Sequence, residues 1–314
     1  MTDPAKTAFP SQSPAVPDGF ELLSALLKRP EDLELLRDAW EQRPLRCQAS
    51  AAATELASLA DIEMWLNHSN LRPPQVVLLS GGRAVPSENI VTNRTSDSRL
   101  STGYVDPERV KEWLSKGATL QLYPIEEWQP SAADLCRNLA QTMRARVHAI
   151  AFLSPSEEYG RRVHLDAGHT IAIQISGSKE WEIFKAPHPD GDERPGELVV
   201  LQPGDLFYVP PRTPHRARAG DRGSLHVTIT ISEPTLRMLV RTWARSYGRS
   251  FELNEWIAGD HARRIELTRA WLAKMAASLE STDIEALLEA IEQEWVEPKT
   301  GWVAVTDVES QHAR

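Results

Sequence analysis

The sequence predicts a mainly β chain of the α+β class: a barrel or double-sheet jelly roll, with helices before it and a helical segment after it. Three observations carry this. Between residues 170 and 231, five strand-like runs follow in quick succession: Thr170–Ser176, Lys179–Lys185, Glu197–Leu201, Asp205–Val209 and Ser224–Ile231. Only turn-formers separate them (Gly177-Ser178, residues 187–196, Pro203-Gly204 and residues 220–223), which argues against an α/β sheet with crossover helices. From Glu233 onward, apolar residues instead recur at helical spacing.

Taken in order, residues 1–17 are rich in Pro, Ser and Ala and read as a disordered tail. Phe20, Leu22, Leu23, Leu26 and Leu27 then predict a helix that ends at Pro30. Glu31–Trp40 predicts a second helix and Thr54–Leu66 a third. Gln75–Leu79 has strand character and closes at Gly81-Gly82. Pro107–Leu114 and Ala132–Met143 read as helices, Ala118–Tyr123 and Val147–Leu153 as strands. After the strand-rich core, three apolar stripes are expected on helices: Leu236, Leu239, Val240 and Trp243; Ile265, Leu272, Met275 and Leu279; and Ile284, Leu287, Leu288, Ile291 and Trp295. Thr282 and Glu285 have capping-box spacing before the last of them. The expected domains are thus 1–17 as tail, 18–232 as a catalytic domain with N-terminal helices, and 233–314 as a C-terminal helical domain.

Composition narrows the function classes. The 314 residues are 41% hydrophobic and 25% charged, values of an ordinary globular chain. No apolar run is long enough to span a bilayer, and the N-terminus lacks a signal-peptide pattern. Cys47 and Cys136 have neither metal nor redox spacing, so a reducing, cytoplasmic setting is expected. The net charge of −9 disfavours wholesale nucleic-acid binding, leaving RNA the least favoured partner.

The chemistry concentrates in His164-Leu165-Asp166 and in the later His215. Residues two apart on an extended segment face the same way, so His164 and Asp166 reach one point. Asp205–Val209 leads through Pro210-Pro211 to His215, which is expected to complete the set. Two histidines and one carboxylate suit Fe(II) with open coordination positions. His169 and His226 are spare histidines near this core. His226 fits a hydrogen-bonding role in the lumen, and His148 reads as a satisfied core histidine.

Several elements between about 151 and 231 resemble the JmjC/cupin-type 2-oxoglutarate oxygenases, especially the ribosomal-oxygenase-like group. They are His164-x-Asp166, Gln174-x-x-Gly177-x-Lys179-x-Trp181, Pro203-Gly204-Asp205-x-x-Tyr208-x-Pro210 leading to His215, and Ser224-Leu225-His226-Val227-Thr228. The resemblance implies a double-stranded β-helix core, Fe(II), 2-oxoglutarate as cosubstrate, and O₂-dependent hydroxylation of a protein or peptide side chain. Oxidative demethylation also occurs among relatives. It implies His164, Asp166 and His215 as catalytic metal ligands and Lys179 as anchor of the cosubstrate. A lysine beside Trp181 on an inward face is costly unless it meets an anion. Trp181, Gln174, Thr228 and Thr230 are expected around the same cosubstrate, the two threonines on the polar face of the last core strand.

Two departures stand out. Relatives often carry an asparagine near Ile150, and the glycine usual before the third ligand is replaced by Arg212-Thr213-Pro214. Arg161, Arg162 and Arg216 flank the ligands and are expected to form, with Arg212 and Arg218, a basic rim toward substrate. The substrate expected is a protein or peptide, such as a ribosomal protein or a ribosomally made peptide, and a homodimer is expected by resemblance. The competing readings are a metal-dependent cupin of another class (an isomerase or a cofactor-independent dioxygenase) and a non-catalytic peptide-binding module.

Overall fold

The computed structural model describes residues 17–68, 70–155, 160–185, 194–246 and 260–296. The chain divides between Ser232 and Glu233 into two units.

The first unit begins with a 3₁₀ helix, Phe20–Leu26, and with α1, Asp32–Ala39, which bury Phe20, Leu23, Leu26 and Leu36. Strand β1 (Leu45–Gln48) follows; its length and polar residues give no periodic signal. The single helix expected from Thr54 is two, α2 (Ala51–Thr54) and α3 (Leu59–His68). The break has a local cause. Ser58 Oγ accepts from Asp61 N at 3.1 Å and Asp61 Oδ2 accepts from Ser58 N at 2.8 Å, a reciprocal cap that starts a new helix.

Strand β2 (Val76–Ser80) turns into β3 (Arg83–Ala84) through Gly81 and Gly82, whose φ values of 58° and 76° suit a two-residue hairpin. A second hairpin, β4 (Val91–Ser96) and β5 (Arg99–Val105), has no counterpart in the sequence reading, since its strands are polar on both faces. Helix α4 (Pro107–Ser115) has Pro107 in its first turn and Asp106 as its cap. The expected pattern then continues with β6 (Thr119–Leu122), α5 (Pro130–Met143) and β7 (Arg146–Ser154).

The core departs from the expected strand count in one respect. Thr170–Ser176 and Lys179–Lys185 are one bent strand, β8 (His169–Ile183). Beyond it lie β9 (Glu197–Leu201), β10 (Asp205–Val209) and the long β11 (His215–Ser232), which runs through the turn expected at residues 220–223. The sheet order is β1-β10-β8-β11-β7-β6-β2-β3, with β9 on the second half of β8, and every pairing is antiparallel. Because β8 and β11 are both long and bent, they pair with each other on both sides of the bend and close the two-layered barrel.

The two faces of these strands bury different things. Ile171, Ile173, Leu206, Tyr208, Val227 and Ile229 join the outer core with Leu23, Leu26, Trp40 and Leu139. Ala172, Trp181, Leu201, Phe207 and Val209 form the smaller inner core of the lumen.

The second unit contains α6 (Leu236–Ser246), α7 (His261–Glu280) and α8 (Ile284–Val296). Trp243 and Leu287 centre its core, packed by Leu239, Met275 and Leu279. The start of α8 is capped by Asp283, whose Oδ1 accepts from Ala286 N at 3.1 Å; Thr282 instead bonds back to Ser278 O. Residues 1–16 of the expected tail lie outside the described residues. Among the described residues, no helix is long and apolar enough to cross a membrane.

Candidate metal centre

His164 lies on a short extended segment just before β8 and forms an isolated bridge with His215, at the start of β11. The two residues exchange both backbone hydrogen bonds, each 3.0 Å, which sets their side chains on one face. Asp166 follows two residues on. Its carbonyl accepts from Arg212 N at 2.8 Å, and one carboxylate oxygen accepts from Thr170 Oγ1 at 3.2 Å. Residue Arg212, at φ 58°, stands where a glycine was expected and completes this turn.

The donor atoms converge. His164 Nε2 is 3.9 Å from Asp166 Oδ1, His215 Nε2 is 3.6 Å from Asp166 Oδ2, and all three donors lie within 4.8 Å of one another. Each imidazole is oriented by its other nitrogen. His164 Nδ1 donates to Arg162 O at 3.0 Å and His215 Nδ1 to Thr213 O at 2.9 Å, so both Nε2 lone pairs face the shared point. Burial and the neighbouring His164 lower the pKa of His215, which favours the neutral ring that a metal needs. The set fits a divalent ion held by two nitrogens and one oxygen. Sequence reasoning missed Thr170, the residue that steadies the carboxylate.

Inside the barrel, Lys179 is 3% exposed, and its ammonium donates to Ser154 Oγ at 2.9 Å. Ser154 also shares a 2.9 Å hydrogen bond with Thr119, so both hydroxyls are additions to the predicted site. Burial pushes Lys179 down to about 7. Trp181 lies on the same face of β8, its ring 5.5 Å from that of His215. Gln174 is buried and donates to Ser176 O and Ser224 Oγ. Thr228 and Thr230 alternate inward from β11 opposite Ala172 and Thr170. The predicted lumen residues therefore share one interior.

A register shift explains how Gln174 and Lys179, an odd distance apart, face the same way. Ile175 is an extra residue between the pairs Gln174↔His226 and Ser176↔Leu225, and such a bulge inverts the alternation beyond it. On β11, four residues between Ala219 and Ser224 answer one on β8 and invert it again. His215, Ala217 and Ala219 thus face inward and Arg216 and Arg218 outward.

That register corrects the expected basic rim. Arg216 pairs with Glu182 at 2.6 Å and Arg218 with Glu180 at 2.6 Å, on the face opposite His215. Arg161 and Arg162 stay exposed beside the ligands, with Arg162 packed along the Gly81-Gly82 turn. His169 is on the outer face, stacked on Trp40 at 3.8 Å and bonded to Tyr208 Oη at 3.0 Å. His148 is satisfied by Glu126 at 2.6 Å. Asp205 of the Pro-Gly-Asp segment is structural: it accepts from Arg46 at 2.7 Å, Gln202 N at 2.7 Å and Gln48.

A profile described as the JmjC domain matches residues 121–239, the stretch that carries all three metal donors. The match covers under half of the chain. In sequence the chain is similar to the bifunctional lysine-specific demethylase and histidyl-hydroxylase NO66 of Drosophila willistoni, at 23% identity over 238 residues, 69% of this chain and 29% of that one. It is also similar to ribosomal oxygenase 1 of Danio rerio, at 22% identity over 226 residues, 67% of this chain and 40% of that one. The chain spans about three-tenths of the length of the NO66 relatives it matches. In fold it is similar to YcfD, a ribosomal oxygenase from Escherichia coli solved with cobalt and succinic acid, with a TM-score of 0.52, 17% identity, and coverage of 77% of this chain and 65% of that one. A second YcfD structure, with cobalt and 2-oxoglutarate, has a TM-score of 0.51.

Proposed function

We propose that this chain is a JmjC-type, Fe(II)- and 2-oxoglutarate-dependent oxygenase that hydroxylates a side chain of a protein or peptide. The observation that carries the reading is the convergence of His164, Asp166 and His215, both imidazoles oriented by backbone carbonyls, at a barrel with one buried lysine inside. His164, Asp166 and His215 would hold the iron. When bound, the metal supplies the activation of O₂ and the oxidation of the cosubstrate that hydroxylation requires.

The chain's own residues have separable tasks in this reading. Thr170 fixes the Asp166 carboxylate. Lys179 holds the distal carboxylate of 2-oxoglutarate, an anion that restores the charge balance its burial disturbs. Trp181 and Phe207, 5.6 Å apart, wall the lumen and keep water from it. Gln174, Thr228 and Thr230 supply polar groups along the same interior. Arg161 and Arg162 are the part of the basic rim that still faces the site, and they attract an acidic substrate segment.

The names of the relatives, which include ribosomal oxygenases, favour a ribosomal protein as substrate. A homodimer fits the apolar residues exposed on the second unit, Leu236, Val240, Ile265, Leu272 and Ile284. A two-histidine, one-carboxylate set with a buried lysine favours this reading over a cupin isomerase or a peptide-binding module. Anaerobic addition of Fe(II) and then 2-oxoglutarate should produce the visible charge-transfer band of the chelated cosubstrate. His164→Ala and Asp166→Ala should each lose that band and 2-oxoglutarate-dependent product by mass spectrometry; full activity in both would falsify the reading.

A further inference from the structure

One buried imidazole in the lumen has no task in the reading above. His226 is 4% exposed, and its Nδ1 has no hydrogen-bond partner. The ring is held in place. It lies parallel to Phe152, with centroids 4.8 Å apart, and meets Trp181 edge to face at 6.1 Å. Since Trp181 also approaches His215, the indole stands between His226 and the metal ligands. Gln174 is the cross-strand neighbour of His226, and burial, with the nearby charge of Lys179, lowers the histidine's pKa.

Two other buried atoms of this interior, Gln174 Oε1 and Trp181 Nε1, also lack partners. Folded proteins rarely leave such atoms unpaired, and a ligand or an ordered water is the ordinary reason. Three of them in the interior that holds the Lys179 ammonium make a polar cradle rather than isolated packing defects.

Counting donors shows what the cradle requires. A carboxylate offers two oxygens and about four acceptor sites. Lys179 already bonds Ser154, and Ser154 and Thr119 bond each other. On β7, the residues facing the lumen opposite Thr228 and His226 are Ile150 and Phe152, neither of which can donate. Of the two ring nitrogens left without partners, Trp181 Nε1 belongs to the indole that stands toward His215, and His226 Nδ1 belongs to the ring whose electrostatics Lys179 reaches.

We propose that His226 is a second positioning residue for the distal carboxylate of the cosubstrate, donating a ring N–H to the oxygen that Lys179 leaves unpaired. The proposal rests on the 2-oxoglutarate reading. It assigns the role that a polar side chain at Ile150 or Phe152 would otherwise fill to a histidine on the neighbouring strand.

The test is calorimetric titration, under nitrogen, of the full chain loaded with Mn(II). The probes are 2-oxoglutarate and oxalate, which chelates a metal but has no distal carboxylate. His226→Phe should weaken 2-oxoglutarate at least about tenfold and leave oxalate within about twofold, while His226→Gln, which keeps a donor, should recover most of the loss. Unchanged 2-oxoglutarate affinity in His226→Phe, or an equal loss for oxalate, would overturn the assignment and leave His226 a packing residue. A wild-type chain that binds oxalate but not 2-oxoglutarate would overturn the cosubstrate reading itself, and with it this role. A second measurement needs no variant. In the Zn(II)-loaded wild type, the His226 ring nitrogen resonances should shift on adding 2-oxoglutarate but not oxalate; an unchanged spectrum would sink the proposal even if His226→Phe failed to fold.

Discussion

Lys179, which we propose holds the cosubstrate, also carries a stability cost. In the unfolded chain its ordinary value is 10.5, and in the barrel burial brings it to about 7. Between those values the unfolded chain holds a proton that the folded chain has released, so stability rises with pH across that window. Below pH 7 the charge is buried and its cost, several kcal/mol for a shift of this size, is present in full. Lys179→Met should therefore melt higher than the wild type at pH 6 without cosubstrate, and the gap should close toward pH 10. Added 2-oxoglutarate should raise the melting temperature of the wild type only; scanning fluorimetry across pH checks both. Lys179 was legible because a lysine two residues from an inward tryptophan is an anomaly. Arg216 was misread for the opposite reason: adjacency to His215 in sequence is opposition across a strand, and its partner Glu182 lies 34 residues away.

At the scale of elements, the bend in β8 is what makes one strand serve two sheets. Gly177 has φ 63°, and a Cβ there would lie 2.1 Å from Gly223 O, so no side chain fits without moving backbone. Gly177→Ala is expected to cost on the order of 3 kcal/mol in chemical denaturation, from strain and the close approach together. Asp205 ties β1 to β10 and closes the turn at Gln202, and it is 1% exposed. Asp205→Ala should cost about 3 kcal/mol while leaving Mn(II) affinity within about twofold, since the residue touches no metal donor. The sequence read β8 and β11 each as shorter pieces because Gly177 and residues 220–223 carry turn chemistry. Turn residues mark a change of direction, and only the pairing partner decides whether the strand continues through it.

For the molecule as a whole, the chain divides into two units, and His164, Asp166 and His215 all belong to the first. In the second, Trp243 is 1% exposed at the centre of a small core. Trp243→Ala should weaken that unit by about 3–5 kcal/mol. Helical circular dichroism and hydrogen exchange in α6 and α8 should report the loss, and Mn(II) affinity should be unaffected. By itself the sequence determined the barrel, the helices on either side, the three residues that converge at its mouth as candidate metal donors, and the lysine inside. Those features rest on local periodicity and on residue types too costly to bury without purpose. Only the tertiary structure decided which side chains share the lumen, because two register shifts invert the alternation between Gln174 and His215. The same shifts turned Arg216 and Arg218 away from the site, and the barrel's closure packed His226 against Trp181. Pairing register is a long-range property, fixed by partners that no window of the sequence contains.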